Sequence, residues 1–123
     1  YMSYACANAR DIYRNNQVTT APKKKLLIML YDGAIKNLKL AEQGIEEKNY
    51  EIANNNIIKA QNIVMELIFT LDFDAGGEIA SNLYQLYDYM YLRLIRANID
   101  KDIDGVKEVK KLLEELRNTW SKI

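Results

Sequence analysis

From Pro22 onward, apolar residues recur at intervals of three and four in four successive stretches, and that spacing leaves room for little except packed helices. A half-buried strand would alternate every second residue, whereas intervals of three and four gather the apolar groups on one stripe of a helix. The first stretch, about residues 22–47, carries Leu27, Leu30, Ala34, Leu38, Ala41 and Ile45 on its seam. The second, about 50–71, carries Ala53, Ile57, Ala60, Val64, Leu67 and Leu71. The third, about 78–98, carries Ile79, Leu83, Leu86, Met90, Leu94 and Ala97, and the fourth, about 103–120, carries Val106, Val109, Leu113, Leu116 and Trp120.

The residues between these stretches read as punctuation. Pro22, the only proline, suits a first helical turn, although Lys23-Lys24-Lys25 beside it oppose the helix dipole. Gly44 falls where the first helix would fray or cap, and Asn54-Asn55-Asn56 is poor helix-forming material inside the second. Asp72 to Gly77 reads as a join, with a positive φ or a tight helix entry expected at one of the paired glycines. Asp100 or Asp102 is the candidate cap of the fourth helix. Joins this short force antiparallel neighbours, and helices of about 27–39 Å at 1.5 Å per residue need each other to bury their seams. The expected fold is all-α: an antiparallel up-and-down four-helix bundle over 22–123, preceded by a short, irregular or partly helical N-terminal segment over 1–21.

Much chemistry is excluded. The chain has no histidine, which removes the commonest neutral-pH acid/base and metal ligand and rules out Ser-His or Cys-His activation within one chain. Cys6 is the only cysteine, so there is no internal disulfide and no thiolate zinc site, as expected of a reducing cytoplasm. Gly76-Gly77 lacks the lysine and hydroxyl pattern of a phosphate loop. Seventeen Lys and Arg balance seventeen Asp and Glu, which gives no basic footprint for nucleic acid. The longest apolar run, Leu26 to Tyr31, stops at Asp32, far short of a membrane helix, and no signal-peptide layout opens the chain. The expectations are no catalysis, no cofactor, no metal, no nucleic acid and no membrane insertion.

A four-helix bundle needs one seam per helix, and two helices carry more. Ile58, Met65 and Ile68 lie beside the second seam; Tyr84, Tyr87, Tyr91 and Ile95 lie beside the third. The fourth helix, by contrast, has an outer face of Lys107, Lys110, Lys111, Glu114, Glu115 and Arg117. Tyrosines in such positions either widen the core or line a groove for an apolar segment, and Tyr and Met are both enriched at interface centres.

The order and spacing of several short pieces then resemble a known family. Leu30-Tyr31-Asp32-Gly33-Ala34-Ile35, Lys59-Ala60-Gln61-Asn62-Ile63-Val64, Leu86-Tyr87-Asp88-Tyr89-Met90-Tyr91 with Arg93-Leu94, Ala97-Asn98-Ile99 and the late Trp120 are together similar to flagellar export chaperones of the FliS type. The resemblance covers Tyr13 to Ile123. It implies an antiparallel helical bundle in the cytoplasm that binds the disordered C-terminal segment of flagellin and keeps it unpolymerised before export, with other flagellar assembly factors as further candidate partners. It also implies that Tyr13, five residues before Val18, belongs to an N-terminal segment that folds over the binding surface when the partner is absent. Pro22 and Lys23 stand where the family carries a Ser-Pro or Thr-Pro pair. The expected partner site is therefore Tyr13, Val18, Ile58, Met65, Ile68, Tyr84, Tyr87, Tyr91 and Ile95, on a protein that is monomeric when free. A self-associating helical scaffold using the same groove is the alternative.

Overall fold

The structure is a computed structural model and describes residues 21–122; Tyr13 and Val18 lie outside the described residues. It contains four helices: α1 (Ala21–Glu46), α2 (Tyr50–Phe69), α3 (Phe73–Asp100) and α4 (Ile103–Ser121). Each packs against its neighbour in the chain, and α1 closes the ring against α4. The result is the antiparallel bundle expected from the seams. Ala53, Ile57, Ala60, Val64 and Leu67 of α2 are buried, as are Leu83, Leu86, Met90, Leu94 and Ala97 of α3. Val106, Val109, Leu113, Leu116 and Trp120 of α4 complete that core. On α1 the buried set is Tyr31, Ala34, Ile35, Leu38 and Ala41, so Tyr31 and Ile35 join a seam whose end members Leu27, Leu30 and Ile45 are only half-buried.

Two of the joins share one solution. α1 ends in a Schellman motif: the Asn49 amide donates to the Gly44 carbonyl at 2.7 Å and the Lys48 amide to the Ile45 carbonyl at 3.1 Å. Lys48 takes the left-handed conformation, φ 58°, that this motif requires. Asn49 then turns from terminator to starter, its side chain accepting from the Ile52 amide as the N-cap of α2. The α3–α4 join repeats the device. Lys101 is left-handed at φ 51°, the Asp102 amide donates to the Ala97 carbonyl, and the Asp102 side chain caps α4 through the Asp104 amide.

Gly44 does more than end a helix. It is buried one turn before the terminus, and a Cβ there would lie 2.9 Å from the Ala53 nitrogen and 3.0 Å from the Asn49 carbonyl oxygen. Its hydrogen side chain is what lets α1 and α2 approach backbone to backbone. The unfavourable lysines at the start of α1 find a use across the bundle, where Lys24 Nζ reaches the Ser121 carbonyl at the C-terminal end of α4 at 3.5 Å. Asp32–Arg117 and Glu42–Lys110 ion pairs, at 2.8 and 2.6 Å, tie the outer edges of α1 and α4.

The third helix begins five residues earlier than its periodicity indicates. Asp72 caps a first turn by accepting from the Ala75 amide, and the chain then breaks at Gly77, φ 52° and ψ −125°, before the long helix continues. The positive φ expected in the glycine pair is thus at Gly77.

Candidate partner groove

Asn98 of α3 donates to the side-chain oxygen of Asn54 on α2 at 2.8 Å, which fixes how the two helices lie against each other. The Lys101 ammonium clamps the same corner, donating to both the carbonyl and the side-chain oxygen of Asn98. Because the helices are antiparallel, moving fourteen residues along each from that pair places Ile68 level with Tyr84. Helical periodicity puts Ile58, Met65 and Ile68 on the side of α2 that faces α3, and Tyr84, Tyr91 and Ile95 on the side of α3 that faces α2. Ile58 and Tyr84 are each 41% exposed. Met65, Ile68, Tyr91 and Ile95 are half-buried. Ile68 and Tyr91 also rest on the core.

The Asn54–Asn98 pair lies at one end of this apolar strip, and at the other Phe73 packs edge-on against Tyr84 with ring centroids 6.1 Å apart at 66°. Fourteen residues of helix between those ends span about 21 Å. That length takes roughly fourteen residues of a partner helix or six of an extended segment.

Tyr87 does not belong to this surface. It is 1% exposed, and its hydroxyl meets that of Tyr31 inside the bundle. The cause is the width of α3's buried stripe: Leu86 and Tyr87 are successive residues that straddle its midline, and both turn inward. The Trp120 indole N–H donates to the Tyr31 hydroxyl at 3.1 Å, so one buried polar chain links α1, α3 and α4. Burial pushes the Tyr87 hydroxyl up to about 12, an effect the Tyr31 hydrogen bond partly offsets.

Residues outside the expected set also shape the surface. Asn54, Asn98 and Phe73 form the groove's ends; the Asn54-Asn55-Asn56 run, conspicuous for its poor helix propensity, was the signal for the first. A second apolar set, Leu26, Met29 and Leu40 of α1 with Ile52 of α2, is also exposed. The α3–α4 side is polar at its corner: Arg93 bridges Asp102 and Glu108, and Tyr89 donates to Glu108. The hydrogen bonds from Arg93 hold the Asp102 carboxyl below the usual carboxylate range, and those to Asp102 and Glu108 raise Arg93 in turn. Among the described residues no three His, Cys, Asp or Glu side chains gather as metal ligands, and no helix is long and apolar enough to cross a membrane.

Residues 6–123 match the family model described as flagellar protein FliS. The chain belongs to the FliS family. A Bacillus subtilis relative named flagellar secretion chaperone FliS is 41% identical over 116 residues, 94% of this chain and 86% of the relative. The Salmonella typhimurium protein of the same name is 38% identical over 107 residues, 86% and 79% of the two chains. A Pseudomonas aeruginosa FliS-family protein, flagellar secretion chaperone FliSB, is 36% identical over 123 residues, covering 100% of this chain and 98% of its own.

Proposed function

We propose that this FliS-family chain is a cytoplasmic flagellar secretion chaperone that holds the C-terminal segment of flagellin in the α2–α3 groove and so keeps it from polymerising before export. Membership of the family, with relatives named as flagellar secretion chaperones, supports the first half of the reading. What supports the second half is the apolar surface of Ile58, Met65, Ile68, Tyr84, Tyr91 and Ile95, with the Asn54–Asn98 hydrogen bond and the Phe73–Tyr84 contact at its two ends. Apolar lining with a few polar groups at the ends is what an amphipathic or extended segment needs for affinity and register. Tyr87 acts indirectly, by holding α3 in place from within.

The same proposal gives residues 1–21 a part: the family resemblance implies that Tyr13 and Val18 belong to a segment that covers apolar surface while no flagellin is bound. Such a cover lowers apparent affinity by the fraction of time the groove is shut. The protein performs no catalysis in this role and needs no cofactor.

Light scattering with and without a flagellin C-terminal peptide tests the reading. The expected result is a monomer alone and a complex of one chain with one peptide. A stable dimer that excludes the peptide would instead identify a self-associating scaffold.

A further inference from the structure

The start of α3 is set apart from the rest of that helix. Residues Phe73–Gly76 form a single turn, and Gly77 departs from helical geometry at φ 52° and ψ −125° before the helix resumes. A lone turn gains nothing from helix propagation, so its position rests on local contacts. These are the Asp72 side chain accepting from the Ala75 amide at 3.0 Å, the Gly76 amide donating to the Asp72 carbonyl at 2.7 Å, and the Phe73 ring against Tyr84. Phe73 remains 48% exposed even so. A large apolar ring thus packs edge-on against Tyr84 from beyond a backbone break at Gly77.

The geometry points to a latch: Phe73 closes the Tyr84 end of the α2–α3 groove in the free protein, and an entering partner displaces it by rotation about Gly77. This rests on the groove being the partner site. The partner's own apolar side chain takes over the edge of Tyr84 that Phe73 vacates, so the latch withholds apolar surface from solvent and releases it on binding. Gly77 suits the pivot because its closed conformation is one that L side chains rarely adopt, while a Cβ there would meet no atom within 4 Å apart from its own neighbouring chain. A side chain at 77 would therefore strain the closed turn without blocking movement.

That difference supplies two independent variants. Phe73→Ala removes the latch ring; Gly77→Ala leaves the ring and strains the closed hinge. Titrated with a flagellin C-terminal peptide, both should bind tighter than the parent chain, by about three- to tenfold. Hydrogen exchange across 73–77 in the parent chain should quicken when the peptide is added, because a lone turn no longer packed on Tyr84 frays more often. Tyr91→Ala serves as the control for the groove and should weaken binding. Weaker or unchanged binding in Phe73→Ala and Gly77→Ala, with Tyr91→Ala still weakened, overturns the latch and leaves the groove standing. An unaffected Tyr91→Ala overturns the groove, and the latch with it. Slower or unchanged exchange at 73–77 on peptide addition also overturns the latch.

Discussion

The hydroxyls of Tyr31 on α1 and Tyr87 on α3 lie 2.5 Å apart in the middle of the bundle, and the indole N–H of Trp120 on α4 donates to the first of them. Polar groups this deep are tolerated only when paired, and their pairing sets which helix faces meet. Tyr31→Phe removes the partner of a fully buried Tyr87 hydroxyl and should cost about 1–3 kcal/mol. Adding Tyr87→Phe to it removes the stranded group, so the double variant should cost less than the two single changes together. Urea unfolding of the three variants gives the coupling; strict additivity would show that the two hydroxyls do not depend on each other.

Alkali should unfold this protein through Tyr87. An exposed tyrosine in the unfolded chain titrates near 10, while burial raises Tyr87 to about 12 in the fold. Between those values the folded state holds a proton that the unfolded state has lost. The stabilisation is therefore complete below about pH 10 and falls as pH rises, with on the order of 3 kcal/mol gone above pH 12. Unfolding midpoints at about pH 9 and 11.5 should drop less in Tyr87→Phe than in the parent chain. Equal drops would mean that the hydroxyl is reached by water in the folded state.

Trp120 ties the end of α4 to the core with only 4% of its surface exposed. Truncation to Ala should cost about 3–5 kcal/mol by denaturant unfolding, counting lost burial and the cavity left behind. A change near zero would mean that the last turn of α4 frays in solution.

The joins give a pair of opposite expectations. Gly44→Ala drives a methyl group into the α2 backbone, where nothing flexible can give way, and should destabilise by about 1–3 kcal/mol. Lys48→Gly relieves a left-handed lysine at φ 58° and should stabilise by about 0.5–1 kcal/mol. Thermal unfolding of both checks the signs, and a stabilising Gly44→Ala would contradict the close approach of α1 and α2.

How far the sequence carried this far depends on what kind of interaction decided each feature. The seams were legible because burial on a helix is periodic, and Ala53 to Leu67 and Val106 to Trp120 are buried as their spacing requires. Tyr31 was not legible as core: its hydroxyl is acceptable inside only because Tyr87 and Trp120, 56 and 89 residues away, complete its hydrogen bonds. Tyr87 turns inward because the buried stripe of α3 is wide enough to take both Leu86 and Tyr87, and the Tyr31 hydroxyl makes its own hydroxyl acceptable there. Lys48 and Lys101 as left-handed caps were equally hidden, since lysine carries no local preference for that conformation and the helix-terminating hydrogen bonds impose it. Ile58, Met65, Ile68, Tyr84, Tyr91 and Ile95 stood out as surplus to the seams, whereas the Asn54–Asn98 and Phe73–Tyr84 contacts at the two ends of that strip join residues too far apart in the chain to be read from spacing.

The cover that the family resemblance implies for Tyr13 and Val18 has its own test. Deleting residues 1–17, or changing Tyr13 to Ala, should leave the bundle folded and tighten or speed peptide binding. Slower and weaker binding in both would make Tyr13 a direct contact with flagellin.

The central claim is the site, and calorimetric titration of a flagellin C-terminal peptide into the parent chain and its Ile58→Ala, Tyr91→Ala and Lys107→Ala variants tests it most directly. Binding should be one to one in the parent chain. It should weaken by about tenfold or more in Ile58→Ala or Tyr91→Ala if either is an anchor of the interface, and stay unchanged in Lys107→Ala on the outer face of α4. Equal affinity in all four proteins would place the flagellin site away from the α2–α3 groove and contradict the account.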